Sequence, residues 1–221
     1  MKVLVVFAHP AKDSFCGSIL AIVVEELTTQ GHELNVLDLY ADGFNPVLSK
    51  SEWLLYEKQG NAEVQRYADQ IHDTDGLIWI FPTWNYGLPA VLKGYVDRIW
   101  KPNIAFRIDQ SRNIHFDSFG NLKFFLVITT YGASWLANMF LGNPSKRTVT
   151  RGLRRHLPLS CGFAWRALYR MDKPAPYRLN RFLANVRQTA RHYSTHFAGP
   201  QRKTERQVHI FLEWMRRNMP I

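Results

Sequence analysis

The chain has 221 residues, 46% of them hydrophobic and 14% aromatic, enough apolar material for one sizeable core and too much for a disordered chain. Its two cysteines, Cys16 and Cys161, form no CxxC or metal-ligand spacing and demand no disulfide, and no apolar run approaches the roughly 18–20 residues of a membrane-spanning helix. The net charge of +10 is lopsided: residues 1–144 carry 11 Lys+Arg against 15 Asp+Glu, and residues 145–221 carry 17 against 3. That surplus suits solvated basic helices, an anionic ligand, an anionic membrane surface or an acidic protein partner; nucleic acid is excluded for want of any helix-turn-helix, zinc-finger or RNA-binding signature.

Lys2–Phe7 is a β-branched apolar run suited to a central parallel strand. His9, Pro10, Lys12 and Asp13 cut it off, so it reads as a strand and not as a secretory leader, and the expected compartment is the reducing cytoplasm. Ser14 is a good N-cap for a helix over 15–30, which Gly31 closes. A second strand is expected over 33–39, a loop over 41–50, and two short helices over 51–58 and 62–72. Gly76-Leu77-Ile78-Trp79-Ile80 reads as a third, buried strand that breaks at Pro82, and a helix follows over 90–100. Pro102, Asn103, Arg107, Asp109 and Gly120 argue for an irregular segment over 101–121. A fourth strand is expected over 123–129, a turn or lid over 135–141, a basic helix over 146–156, a fifth strand over 159–167, a long helix over 179–197 and a short one over 204–218. Strands alternate with helices five times, the pattern of a doubly wound α/β fold with a five-stranded parallel sheet. Residues 1–200 form one domain in this reading, with the basic tail 201–221 packed on it.

In such a sheet, ordered 2-1-3-4-5, ligands bind at the carboxyl ends of the strands beside the switch point. His9, Ser14 and Ser18, with Lys12, cluster where the free N–H groups and positive end of the first helix converge, a geometry that binds phosphate; ordinary capping by Ser14 is the plainer alternative. No GxGxxG follows the first strand and no GxxxxGK[ST] occurs, which excludes a Rossmann dinucleotide site and a P-loop. Cys16 lacks the arginine a phosphatase loop would need and reads as a helix-face residue. The loop Pro82-Thr83-Trp84-Asn85-Tyr86-Gly87 carries two aromatic rings and an amide but no acid, base or nucleophile. It suits a flat ring system whose own chemistry does the work, unless Trp84 and Tyr86 merely pack beneath the loop. With Thr129-Thr130-Tyr131-Gly132 as the turn after the fourth strand, the three loops fit one flavin lying across the sheet edge, Gly132 letting backbone approach the ring.

At these residues the chain resembles the NAD(P)H:quinone oxidoreductases of the DT-diaphorase type and their azoreductase relatives. The carrying segments are Val5-Val6-Phe7-Ala8-His9-Pro10 with Ser14-Phe15, then Phe81-Pro82 through Gly87-Leu88-Pro89-Ala90-Val91-Leu92-Lys93-Gly94-Tyr95-Val96-Asp97-Arg98, then Thr129-Thr130-Tyr131-Gly132. The resemblance covers about residues 1–170. It implies a flavodoxin-like fold and a homodimer with one flavin per chain near the interface. The phosphate would rest on His9, Ser14, Phe15, Cys16 and Ser18, and the ring on Pro82, Thr83, Trp84, Asn85 and Tyr86, with Thr129, Thr130, Tyr131 and Gly132 at its pyrimidine side. It further implies hydride transfer from NAD(P)H to the flavin and on to a quinone, azo or nitroaromatic acceptor. The diaphorases tend to place Trp-Phe before the loop glycine, where this chain has Asn85-Tyr86, and the loop around 41–61 is short; both favour FMN over FAD. The tyrosine and histidine that assist quinone reduction there have no clear match; Tyr131 and His156 are the candidates, with Trp135 beside them. No metal site is expected. Two other readings are a regulatory subunit docking a membrane protein through its basic C-terminal face and a one-electron carrier, which the positive charge disfavours.

Overall fold

The computed structural model describes residues 1–57, 62–116, 119–172 and 174–198. Five parallel strands form the sheet: β1 (Lys2–Phe7), β2 (Glu33–Asp38), β3 (Gly76–Thr83), β6 (Phe124–Tyr131) and β7 (Gly162–Leu168). Their order, β2-β1-β3-β6-β7, is the expected doubly wound order in spatial terms. β4 (Arg107–Ile108) and β5 (Ile114–His115) make a small antiparallel ribbon within the segment expected to be irregular. Asp109 builds that ribbon: its carboxylate accepts from the Asn113 N–H (2.9 Å) and meets His115 Nε2 (3.0 Å), local bonds that composition alone does not reveal. His115 and Asn113 hold the Asp109 carboxyl down at about 2.

The helices are α1 (Phe15–Thr29), α2 (Lys50–Leu54), α3 (Ala62–His72), α4 (Ala90–Ile99), α5 (Trp135–Phe140), α6 (Pro144–Arg147) and α7 (Pro176–Ala198). α2 begins earlier than expected because Ser49 forms a capping box with Glu52. The single basic helix expected over 146–156 is a chain of three pitches: α6, a π-helical turn Thr148–Gly152 and a 3₁₀ turn Leu153–His156. The expected tail helix over 204–218 lies outside the described residues. No described helix is long and apolar enough to cross a membrane.

Period-two alternation splits the apolar strands into two cores, although the sequence runs are nearly continuous. Leu4, Val6, Trp79, Phe125 and Val127 face α3 and α4; Val3, Val5, Phe7, Ile78, Ile80, Leu126 and Ile128 face α1 and α7. On the first face Arg98, 3% exposed, donates to Glu52 Oε1 (2.7 Å), Glu63 Oε2 (2.8 Å) and the Asn45 carbonyl (2.6 Å), tying α4 to α2, α3 and the 41–50 loop. On the second, buried Glu26 accepts from Arg191 (2.7 Å) and Arg187 (3.4 Å), fastening α1 to α7; the Arg191 hydrogen bond, with help from Gln30 and Arg187, lowers its carboxyl despite burial.

Candidate functional site

The strands end at different heights, and that offset shapes the site. Phe7, the last residue of β1, pairs with Ile80, whereas β3 and β6 stay paired as far as Thr83 and Tyr131. Three further residues at roughly 3.3 Å each raise β3 and β6 about 10 Å above the end of β1. A recess therefore opens over β1. Its floor is the loop 8–14 and the N-terminus of α1; its wall is the top of β3 and β6. Pro82 is tolerated inside β3 because the Ile80 carbonyl accepts from the Ala8 N–H. Residue 82 thus turns its missing N–H toward the β1 side, where β1 has already ended.

The floor is set by local bonds. Ser14 caps α1, its Oγ accepting from the Gly17 N–H at 3.2 Å. The N–H groups of Phe15 and Cys16 make no hydrogen bond among the described residues and lie at the positive end of the helix. The fit of helix to loop depends on Gly17: a Cβ there would sit 1.8 Å from the Lys12 carbonyl oxygen. His9 Nδ1 lies 2.9 Å from the Ala11 carbonyl and 3.0 Å from the Ala11 N–H, the latter donating to it, and its ring is 6.1 Å from that of Trp84. Loops one and three therefore meet. Ser18 is exposed in the second turn, and its N–H is spent on the Ser14 carbonyl. Lys12 pairs with Asp38 at 3.3 Å. Cys16 is buried, with Sγ 3.8 Å from Thr130 Oγ1, and burial pushes its thiol up to about 11. It is a packing residue rather than a nucleophile.

The wall carries the aromatic rings. Trp84-Asn85-Tyr86-Gly87 is a tight turn closed by the Gly87 N–H on the Trp84 carbonyl (2.9 Å), with φ of 47° at Asn85 and 62° at Tyr86. Positive φ at both central residues belongs to a type I′ turn. Asparagine accepts that backbone readily; tyrosine pays for it, and strain of this kind collects where function holds a residue in place. Trp84 and Tyr86 both remain exposed.

The expected turn over 129–132 is mostly strand. Thr129, Thr130 and Tyr131 lie inside β6 and are buried, because pairing with β3 continues to the end of the apolar run. Thr129 Oγ1 lies 3.0 Å from Thr83 Oγ1. Tyr131 stacks on Tyr169 (centroids 4.7 Å apart, 17° between planes), its hydroxyl buried beside Thr83 and Ser145 without a well-formed bond; burial raises it to about 12. Gly132 has a second neighbour that the sequence did not disclose: a Cβ there would lie 2.8 Å from Asp172 Oδ1. The loop after β7 folds back onto it through Arg170 N–H to the Ala133 carbonyl (3.1 Å) and Met171 N–H to the Tyr131 carbonyl (3.0 Å). Ser145 donates its N–H to the Tyr86 carbonyl (3.1 Å), joining α6 to the aromatic turn. Ser145, Tyr169 and Asp172 were missed because no spacing in the sequence links those segments.

The structure brings together His9, Ser14, Phe15, Cys16, Thr83, Trp84, Asn85, Tyr86, Thr129, Thr130, Tyr131 and Gly132. It does not bring His156 to them. His156 sits at the opposite edge of the sheet, its Nδ1 3.1 Å from the Leu153 carbonyl and its ring between Phe106 (5.3 Å) and Phe116 (5.0 Å). Burial lowers its pKa, and it packs as a neutral ring. No cluster of three or more His, Cys, Asp or Glu able to hold a metal occurs among the described residues.

A doubly wound parallel sheet, with a recess over β1 bounded by an open helix N-terminus and an aromatic turn, defines a flavodoxin-like protein. The chain belongs to the Flavodoxin_2 family, of flavodoxin-like fold, which matches residues 1–195. It is 32% identical over 108 residues to the "Uncharacterized NAD(P)H oxidoreductase YcaK" of Escherichia coli K12, covering 48% of this chain and 55% of that protein. It is 31% identical over 157 residues to the ribosyldihydronicotinamide dehydrogenase [quinone] of Rattus norvegicus, covering 63% and 66%. The matched stretch spans about half the length of the first of these relatives. Among solved structures, Smu.1420 of Streptococcus mutans superposes with a TM-score of 0.75 at 28% identity, over 87% of this chain and 100% of that one. An FMN-dependent NADH-azoreductase of Bacillus anthracis in complex with FMN does so at 0.68 and 16% identity, over 86% and 97%, a likeness of fold alone.

Proposed function

We propose that this chain is a flavin-dependent NAD(P)H oxidoreductase that reduces quinones, or azo and nitroaromatic acceptors, by two-electron transfer. The observation that carries the proposal is the recess itself: open N–H groups of Phe15 and Cys16 at one end, exposed Trp84 and Tyr86 at the other, joined by the His9–Trp84 contact. That donor set fits a phosphorylated flat ring. The names of the relatives, an NAD(P)H oxidoreductase and a quinone dehydrogenase, point the same way.

Flavin, when bound, supplies the hydride chemistry between nicotinamide and acceptor. The chain's own residues do the rest. The N-terminus of α1 and Ser14 hold a phosphate, and His9 fixes the loop beside it. Trp84 and Tyr86 offer flat apolar faces that exclude water. The loop from Tyr131 to Ala133 would lie beside the bound ring, and Tyr131, whose hydroxyl burial keeps protonated, could donate a hydrogen bond there.

FMN is the preferred form, on the short 41–61 loop. One observation favours FAD as a second reading. A cleft of about 320 Å³ at the top of α7, lined by Leu168, Tyr177, Arg178, Arg181, Phe182 and Asn185, adjoins the recess through the Phe15–Phe182 contact (6.2 Å) and offers two guanidinium groups to a further phosphate. We place the protein as a homodimer in the cytoplasm. Exposed Val47, Trp53, Leu54 and Leu55 on and beside α2 support self-association, and the free buried thiols of Cys16 and Cys161 suit a reducing compartment. Identification by mass of the cofactor released from purified protein tests the proposal and separates FMN from FAD; oxidation of NADH or NADPH with menadione tests the activity.

A further inference from the structure

Asp172 is the only Asp or Glu between residues 118 and 204, a stretch that carries 15 Lys and Arg. A lone carboxylate in such company is expected beside a guanidinium, yet Asp172 forms no ion pair among the described residues. It rests instead against Gly132, where a Cβ would lie 2.8 Å from its Oδ1.

The backbone enforces this placement. The loop after β7 is pinned to the end of β6 by Met171 N–H on the Tyr131 carbonyl (3.0 Å) and Arg170 N–H on the Ala133 carbonyl (3.1 Å). Tyr169 stacks on Tyr131, and its carbonyl accepts from Arg178 (2.8 Å). Arg170 is held at φ 62°, a left-handed backbone that costs a residue with a Cβ energy and persists only where its surroundings impose it. The N–H groups of Gly132 and Ala133 make no hydrogen bond among the described residues. Two free donors and one unpaired carboxylate therefore meet at this end of the recess.

We propose that Asp172 sets the reducing strength of the bound flavin. The inference rests on the flavin reading, with the pyrimidine side of the ring at Tyr131–Ala133. A hydride from NAD(P)H brings two electrons and one proton; the nicotinamide is oxidised, and the ring is left with one added negative charge. The acceptor later takes the hydride, with a second proton from water. Free N–H groups at the pyrimidine side favour that added charge, and a carboxylate beside it opposes it. The oxidised ring lacks the charge, so Asp172 penalises the reduced form alone. Flavin so placed is harder to reduce and, once reduced, gives up its electrons more readily. Asp172 itself exchanges neither electron nor proton.

The test is the two-electron midpoint potential of the full, flavin-loaded chain, read by equilibration with a reference dye in the absence of oxygen. Asp172→Asn keeps the shape of the side chain and removes its charge. It should favour the reduced form by about tenfold, a rise of about 30 mV for a two-electron couple. Asp172→Glu retains the charge and should stay within about twofold of the wild-type equilibrium. Glu33→Gln makes the same change in net charge at the start of β2, the end of the sheet away from the recess, and should stay there too. Affinity of the apoprotein for oxidised FMN should differ by less than about twofold between wild type and Asp172→Asn, since the oxidised ring is uncharged. An Asp172→Asn potential at or below that of wild type overturns the proposal. An equal rise in Glu33→Gln overturns it by making the effect one of net charge, and tenfold tighter binding of oxidised FMN to Asp172→Asn overturns it by making Asp172 a hindrance to both oxidation states. A wild type that takes up neither FMN nor FAD removes the flavin reading and this inference with it; flavin uptake with an unmoved potential removes the inference alone.

Discussion

Replacing Gly17 with alanine tests the floor of the recess with a single methyl group. The added Cβ would lie 1.8 Å from the Lys12 carbonyl oxygen and 2.7 Å from its carbon. Non-bonded heavy atoms settle at about 3.5 Å, so the Lys12 peptide must retreat by about 1.5 Å. The obstacle is backbone, so no rotamer change relieves it. Alanine is otherwise the better helix former by about 1 kcal/mol, and an unhindered site would be stabilised. The overpacking cost of about 1–3 kcal/mol should reverse that sign. The displaced peptide belongs to the loop that sets His9 and the cap at Ser14, so flavin phosphate loses its seat. We expect FMN affinity to fall on the order of 100-fold, the scale on which displacements of about 1 Å are felt. Fluorescence titration of apoprotein with FMN measures affinity, and urea denaturation measures stability. Gly152→Ala is the control: nothing lies within 4 Å of the added methyl, so FMN affinity should stay at wild type and stability should rise by up to about 1 kcal/mol. Gly17→Ala with unchanged FMN affinity would refute the argument that the α1–loop contact forms the phosphate seat.

Three further outcomes are expected. Arg98→Met removes the guanidinium from the nearly buried Glu52 and should cost about 3–5 kcal/mol in urea denaturation, part of it recovered by adding Glu52→Gln; a loss under about 1 kcal/mol would mean that the cluster does not hold α2 and α3 to α4. Tyr86→Gly removes a tyrosine held at φ 62° and should raise stability by about 1 kcal/mol while lowering kcat/KM; a variant no more stable than wild type would remove backbone strain from the account. Burial raises Cys16 to about 11 and Cys161 to about 12. The folded chain therefore keeps protons that the unfolded chain releases above about 8.5. Stability from both thiols is complete below that pH and is lost as pH climbs toward 11–12, so thermal midpoints should fall from pH 9 to pH 11 and fall less in Cys16→Ala; equal slopes would contradict the assignment.

The sheet was legible because its signals are local. Lys2–Phe7, Gly76–Ile80 and the run from Phe124 are apolar stretches bounded by turn residues, and Ser14 and Gly31 bracket α1 where capping chemistry requires. The recess was legible in its loops but not in its depth. How far β3 and β6 rise above β1 is a matter of register, and no residue states it, so Thr130 and Tyr131 were expected in a turn and stand in a strand. The stack of Tyr131 on Tyr169 and the approach of Asp172 to Gly132 depend on the return of the β7 loop, a contact between distant segments. His156 shows the converse error. A histidine following the fourth strand resembles a catalytic partner, but the helical segment carries it the full height of the sheet, to the edge opposite the recess.

The central claim is that the recess over β1 holds a flavin that exchanges electrons with NAD(P)H and an aromatic acceptor in turn. Steady-state kinetics of the purified, flavin-loaded protein with NADH or NADPH and menadione, each varied against the other, test it most directly. Nicotinamide and acceptor must stack on the same face beside Trp84 and Tyr86, so double-reciprocal plots should be parallel, the pattern of a ping-pong reaction. Intersecting lines would mean that both substrates bind at once and would contradict a shared face; a protein that takes up neither FMN nor FAD on reconstitution would contradict the claim altogether.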